Sequence, residues 1–107
     1  MLTEERIRNV ASSHNAYLKG YDLYEFNKVR LMTKLHKNGV TNYKFKVDGK
    51  NVSFSIDENE NIDNIKCQCF DSGVCKEVVA SLLYIIANDP KKKLEELLKN
   101  KKSSISQ

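Results

Sequence analysis

Three cysteines lying within nine residues are the side chains of this sequence best suited to bind a metal: Cys67, Cys69 and Cys75. Residues i and i+2 of a strand project to the same face, so Cys67 and Cys69 can act together. Cys75 follows a turn that contains Gly73 and precedes an apolar helical pattern, and a helix N-terminus favours the thiolate form. The segment therefore predicts three of the ligands of a zinc site.

The fourth ligand of a tetrahedral zinc site is usually another Cys or a His, and neither occurs nearby. Glu77, two residues after Cys75, is the nearest candidate. With three thiolates and a carboxylate, a bound Zn²⁺ site has a net charge of about −2, whereas a His ligand leaves about −1. Because the carboxylate is the harder ligand, we expect weaker zinc binding. Water, His14, His36 or Asp71 are other ways to complete the site, and in the metal-free alternative the cysteines are small buried hydrophobic residues.

This pattern resembles the SWIM zinc finger, which reads Cys-x-Cys, a turn, Cys-x-His and a helix rich in Ala, Val and Leu. The positions after the third cysteine also fit that motif: Lys76, Val79, Ala80, Leu82 and Leu83. The run 17–24, which leads to Val29, is similar to the segment before the finger in bacterial helicase-like ATPases of the Swi/Snf type. The resemblance covers residues 10–88, and Glu77 stands where the family has His.

The resemblance implies a non-catalytic accessory domain, the N-terminal module of a helicase-like ATPase, that binds DNA or protein partners. The ATPase domains of the same parent chain would then be partners, and zinc the cofactor. The implied metal ligands are Cys67, Cys69, Cys75 and, at the His position, Glu77. The alternative is a metal-free protein-interaction domain that docks on the ATPase in cis through the stripe formed by Leu94, Leu97 and Leu98.

The elements that must position these residues are predicted by hydrophobic periodicity, beginning with an N-terminal helix. Apolar residues recur at spacings of three and four over 7–21, and Thr3 is the expected N-cap. Gly20 is expected to end this helix or to break it before a short helical piece at 21–26. Residues 1–27 are therefore predicted to be a helical lead-in.

Residues 28–69 are predicted to form an antiparallel sheet, because the apolar period changes to two at Lys28. Asn38-Gly39 and Asp48-Gly49 mark tight turns, which divides the segment into a three-stranded meander with one apolar face. The acidic stretch 57–64 is predicted to be a loop, followed by a fourth short strand at 65–69 that carries two cysteines.

The C-terminal third is predicted to be helical, which gives an α+β fold in one domain spanning 1–102. The helix at 75–88 should pack on the apolar face of the sheet. Asp89 and Pro90 are expected to start another helix at 90–101, and residues 103–107 should be frayed.

The polar positions of the first two strands are basic, and pairing through Asn38-Gly39 is expected to place them on one sheet face: Arg30, Lys34, His36, Lys44 and Lys46. Such a face can bind the phosphates of DNA, although charged residues also occur on any solvated face. The formal net charge of +4 permits a polyanionic partner without requiring one.

Several function classes are disfavoured by the sequence. It has neither a Gly-rich phosphate loop nor a nucleophile motif, so we expect no enzyme activity. Cys-x-Cys matches the Cys-x-x-Cys motif of redox enzymes poorly. No apolar run could span a membrane, and the acidic first five residues do not resemble a signal peptide. An odd number of cysteines favours a reduced, cytoplasmic protein.

Overall fold

The computed structural model describes residues 2–68 and 73–88. Its elements in chain order are α1 (Glu4–Val10), α2 (His14–Glu25), β1 (Val29–Lys37), β2 (Val40–Val47), β3 (Lys50–Ile56), β4 (Ile62–Cys67) and α3 (Lys76–Ala87). The predicted α+β order of N-terminal helix, antiparallel meander and following helix is confirmed. The helix predicted at 90–101, the tail 103–107 and Cys69 lie outside the described residues.

The helical lead-in consists of two helices that are separated at Ser13, not at Gly20. Thr3 caps α1 as predicted, and the Ser13 hydroxyl caps α2 by accepting a hydrogen bond from the backbone N–H of Ala16 at 3.0 Å. Gly20 lies inside α2, where a Cβ atom would come within 2.6 Å of the Lys76 carbonyl oxygen. This glycine therefore permits the close approach of two helices, and the prediction that it ends or breaks one is wrong.

The four strands form one antiparallel sheet in the order β1-β2-β3-β4, which confirms the meander. Both predicted turns are present, and all four of their central residues have positive φ, as a type I′ hairpin turn requires: Asn38 53°, Gly39 77°, Asp48 49° and Gly49 80°. These two turns determine which residues pair across the first three strands.

The fourth strand begins earlier than predicted, at Ile62 opposite Ile56. The acidic loop is correspondingly shorter, because the Asp57 carboxylate accepts hydrogen bonds from the backbone N–H groups of Asn59 and Asn61, each at 2.9 Å. This tight turn returns the chain to the sheet three residues earlier than the polar composition of 57–64 indicates.

The hydrophobic core lies between one face of the sheet, called the inner face below, and the helices. Phe45 is at its centre, 5.9 Å from the ring centroid of Phe54 and 5.6 Å from that of Tyr84 on α3. The α3 side chains buried against it include Val78, Val79, Leu82, Leu83 and Ile86. The predicted packing of this helix on the apolar sheet face is thus confirmed, and this packing places the helix start beside the end of β4.

In the described part of the chain no helix combines the length and apolarity needed to cross a bilayer.

Candidate metal centre and basic sheet face

Cys67, Cys75 and Glu77 converge in the structure: one ligand atom from each lies within 4.8 Å of the other two. Cys75 donates a hydrogen bond to Cys67, with 3.4 Å between the sulfur atoms. A disulfide bond is about 2.05 Å long, so these two sulfurs are not joined to each other. The expected meeting of a strand end and a helix start therefore occurs.

The position of Cys67 follows from its pairing with β3. It lies opposite Val52, which is buried on the inner face, and directly paired residues of antiparallel strands share a face. The next residue is held by two hydrogen bonds: the Gln68 backbone N–H donates to the Asn51 carbonyl at 3.1 Å, and the Gln68 side-chain oxygen accepts from the Asn51 N–H at 2.8 Å. The strand end that carries the thiol is therefore anchored.

The position of Cys75 is set by the start of α3, where it is the N-cap residue. The Ser12 backbone N–H donates to the Val74 carbonyl at 2.8 Å, and the Val79 N–H donates to the Cys75 carbonyl at 2.9 Å. The thiol does not cap the helix, so its sulfur is directed towards Cys67. Cys75 is fully buried, whereas Cys67 is half-buried.

Glu77 is a buried carboxylate in the first turn of α3, with only 1% of its surface exposed. Its Oε1 atom accepts a hydrogen bond from Lys50 Nζ at 3.2 Å. Its Oε2 atom is also buried, and none of the residues that the structure describes donates a hydrogen bond to it. An unsatisfied buried carboxylate oxygen is costly, so this atom needs a cation or a donor.

Glu77 is ionised at neutral pH because its pKa lies below the ordinary value. Burial alone raises the pKa, but its own backbone N–H, the hydrogen bond from Lys50 and the neighbouring Cys75 thiol together lower it by more, helped by the charge of Lys50. The helix N-terminus favours the anion as well. The cluster therefore has one carboxylate already in its metal-binding form.

Zinc suits these donors, because it is bound in proteins by thiolate sulfur, imidazole nitrogen and carboxylate oxygen. Among the described candidates for a fourth ligand, His14 and His36 do not join the cluster. His36 Nδ1 is instead hydrogen-bonded to the Thr41 hydroxyl at 2.8 Å, and His14 is exposed at the start of α2. Cys69 and Asp71 lie outside the described residues.

The predicted basic face is split by a β-bulge in β1, where the pairing register shifts between Leu31 and Thr33. Before the bulge Arg30 lies opposite Lys46, on the open face of the sheet; after it Lys34 lies opposite Tyr43, on the inner face. Lys34 Nζ is accordingly 5.8 Å from the Tyr43 ring centroid. His36 is also on that side, opposite Thr41. The expectation that all five basic residues share a face is wrong, because one extra residue reverses the alternation.

The open face of the sheet nevertheless has five basic residues: Arg30, Lys37, Lys44, Lys46 and Lys66. We call this set the outer basic face. Lys66 was missed by sequence reasoning, although its position next to inward-facing Cys67 implies that it faces outward. Lys44 and Lys66 flank Ser53 and line two adjoining concavities of about 690 and 500 Å³.

Comparisons of this chain with models of protein families, with curated proteins and with solved structures find no match. The functional interpretation of the metal cluster and the outer basic face therefore depends on their geometry and chemistry.

Proposed function

We propose that this chain is a non-catalytic, SWIM-like accessory domain in which Cys67, Cys75 and Glu77 bind a structural zinc ion. Cys69 is proposed as the remaining ligand, on the basis of its i+2 spacing from Cys67. The convergence of two sulfurs and a buried carboxylate within 4.8 Å supports this proposal. The unsatisfied Oε2 atom of Glu77 supports it further, because a bound cation would remove the cost of burying that atom.

The role of zinc would be to hold the end of β4 to the start of α3. A chain of 107 residues buries only about 60–65% of the surface of its unfolded state, so its core is modest. In small domains the free energy of metal binding contributes directly to folding. Bound thiolates also require a reducing environment, which agrees with the proposed cytoplasmic location.

The partner we propose is DNA, bound through its phosphates by the outer basic face. Five cations lie on a sheet surface that none of the described helices covers, and Lys and Arg are the usual phosphate contacts. As the resemblance implies, the domain would be the N-terminal module of a helicase-like ATPase, and ATP chemistry would belong to other domains of that parent chain. Protein partners would have Met32 and Leu35 as apolar contacts, which are 53% and 64% exposed.

Zinc stoichiometry tests the metal site directly. Protein purified without chelator is analysed for metals, and about one zinc ion per chain is expected. The Cys75→Ser variant is the control, because it removes one sulfur from the cluster and should reduce the zinc content. Wild-type protein that contains no zinc, and takes up none when zinc is added, would refute the metal proposal.

The alternative function is a metal-free protein-interaction domain that docks on the ATPase in cis. One contact favours it: the Lys50 ammonium group, 3.2 Å from Glu77 Oε1, already compensates the buried carboxylate without a metal. The docking stripe proposed for it, Leu94, Leu97 and Leu98, lies outside the described residues. Absence of zinc together with binding to separately purified ATPase domains would favour this alternative.

A further inference from the structure

The two carboxylate oxygens of Glu77 are in different surroundings. Oε1 is 3.2 Å from Lys50 Nζ, within both hydrogen-bond and ion-pair distance. Oε2 is buried, and among the described residues nothing donates a hydrogen bond to it. A metal ion bound in the cluster can therefore use Oε2 while Lys50 remains on Oε1.

We propose that Lys50 is a positioning residue of the metal site, which holds Glu77 by Oε1 so that Oε2 alone is presented to the ion. This inference rests on the metal site proposed above. Partners that hydrogen-bond to a metal ligand fix its orientation, and their loss typically reduces metal affinity by about 10- to 100-fold. Lys50 is 27 positions from Glu77 in the sequence, so the contact depends on the packing of α3 against the sheet.

Charge gives Lys50 a second effect on the same site. Three thiolates and one carboxylate around Zn²⁺ sum to a net charge of about −2. One ammonium group in contact with the carboxylate reduces this to about −1, the value that a site with three Cys and one His has alone. Lys50 thus compensates for the presence of Glu77 where the SWIM pattern has a neutral His.

The backbone places Lys50 where both effects are possible. It is the first residue of β3, directly after the Asp48-Gly49 turn, and it pairs with Val47. Because Val47 is fully buried on the inner face, the Lys50 side chain starts on the side of the sheet that α3 covers. The side chain is still 40% exposed, so its ammonium group keeps part of its hydration while it contacts Glu77.

Cobalt binding tests the inference, because Co²⁺ reports both affinity and coordination through its visible absorption. We expect Lys50→Met to weaken Co²⁺ binding by about tenfold or more and to change the d–d bands, since the carboxylate is no longer held in place. Lys50→Arg, which keeps the cation, should restore most of the affinity. Lys46→Met is the matched control: it removes the same charge from the opposite face of the sheet and should bind Co²⁺ as the wild type does.

A double-mutant cycle separates positioning from a general effect of charge. In a Glu77→Gln background, Lys50→Met should have little further effect on Co²⁺ affinity, because the group that Lys50 holds is gone. Lys50→Gln provides the same comparison should Lys50→Met fail to fold. Co²⁺ binding by Lys50→Met and Lys50→Gln that equals or exceeds that of the wild type would overturn the inference and leave the metal site intact. A wild-type protein that binds neither Co²⁺ nor Zn²⁺ would instead refute the site itself.

Discussion

The sulfur atoms of Cys67 and Cys75 lie 3.4 Å apart, one at the end of a strand and the other at the start of a helix. Both ends are held by backbone hydrogen bonds to other parts of the chain, Gln68 to Asn51 and Ser12 to Val74. The fold therefore brings the two thiols together from separately anchored elements, and a metal ion bound there would join these elements.

Metal removal should destabilise the wild-type protein but not a variant that has lost a ligand. We expect a strong chelator to lower the wild-type Tm by about 5–10 °C, which corresponds to roughly 1–2 kcal/mol for a domain of this size. Cys75→Ser should melt near the temperature of the chelated wild type and should not respond to chelator. Thermal unfolding followed by circular dichroism, with and without chelator, checks this. Equal chelator responses of the two proteins would contradict it.

Replacing Glu77 by His should strengthen zinc binding. A neutral imidazole lowers the negative charge of the site by one unit and is a better match for zinc than a carboxylate. We expect affinity, measured by competition with a chromophoric chelator, to rise by at least about tenfold, or roughly 1.4 kcal/mol. Glu58→His places a new imidazole in the exposed β3–β4 loop and should leave affinity unchanged. If Glu77→His also leaves it unchanged, position 77 is not a metal ligand.

The metal-free protein should lose stability in acid partly through Glu77. The pKa of this carboxyl group is lowered in the folded state, so it stabilises the fold at pH values above its ordinary value of 4.5. That contribution is lost as the pH falls through the lowered folded-state pKa. Urea unfolding in chelator between pH 7 and pH 3 should therefore show a smaller acid-induced loss for Glu77→Gln than for the wild type.

Asp57 also has a lowered pKa, chiefly because of its hydrogen bonds to Asn61, and it contributes to acid sensitivity in both proteins. The difference between the wild-type and Glu77→Gln curves therefore isolates Glu77. Parallel curves over the whole pH range would show that the folded state does not favour its ionised form.

DNA binding, if it uses the outer basic face, should depend on which lysines are neutralised and not only on how many. Lys44→Gln/Lys66→Gln removes two charges from that face and should reduce the slope of log affinity against log salt by about 1.8 for duplex DNA. Lys19→Gln/Lys34→Gln removes the same charge from α2 and the inner face, and its slope should be close to that of the wild type. Fluorescence anisotropy at several salt concentrations measures both. Equal losses would indicate binding by net charge alone.

Much of the fold could be predicted from the sequence because its signals are local. The first three strands are indicated by period-two alternation, and the turns between them by Asn38-Gly39 and Asp48-Gly49. The apolar stripe after Cys75 indicates α3. The bulge between Leu31 and Thr33 has no comparable signal, since no glycine or proline marks it. A single extra residue exchanges the two faces of a strand, so the basic residues beyond the bulge were assigned to the wrong face.

The convergence of the three candidate metal ligands could also be predicted from the sequence. Cys67, Cys75 and Glu77 lie within eleven residues, so their spacing alone indicated a shared site. Lys50 reaches Glu77 from the start of β3, and a contact over 27 positions depends on how α3 packs against the sheet. Sequence periodicity describes which face of an element is apolar, but it does not describe which element lies opposite.

Gly20 shows how the sign of a stability change can test helix packing. A Cβ atom at this position would lie 2.6 Å from Val79 and from the Lys76 carbonyl oxygen, so Gly20→Ala should force α2 and α3 apart. We expect it to lower the free energy of unfolding by about 1–3 kcal/mol, as overpacking typically does, in urea titrations. Alanine at a glycine in an open helix interior would instead stabilise by roughly 0.5–1 kcal/mol. Asn15→Ala, exposed on the same helix, is the control and should change stability by less than about 0.5 kcal/mol. A stabilising Gly20→Ala would mean that the two helices do not meet at this residue.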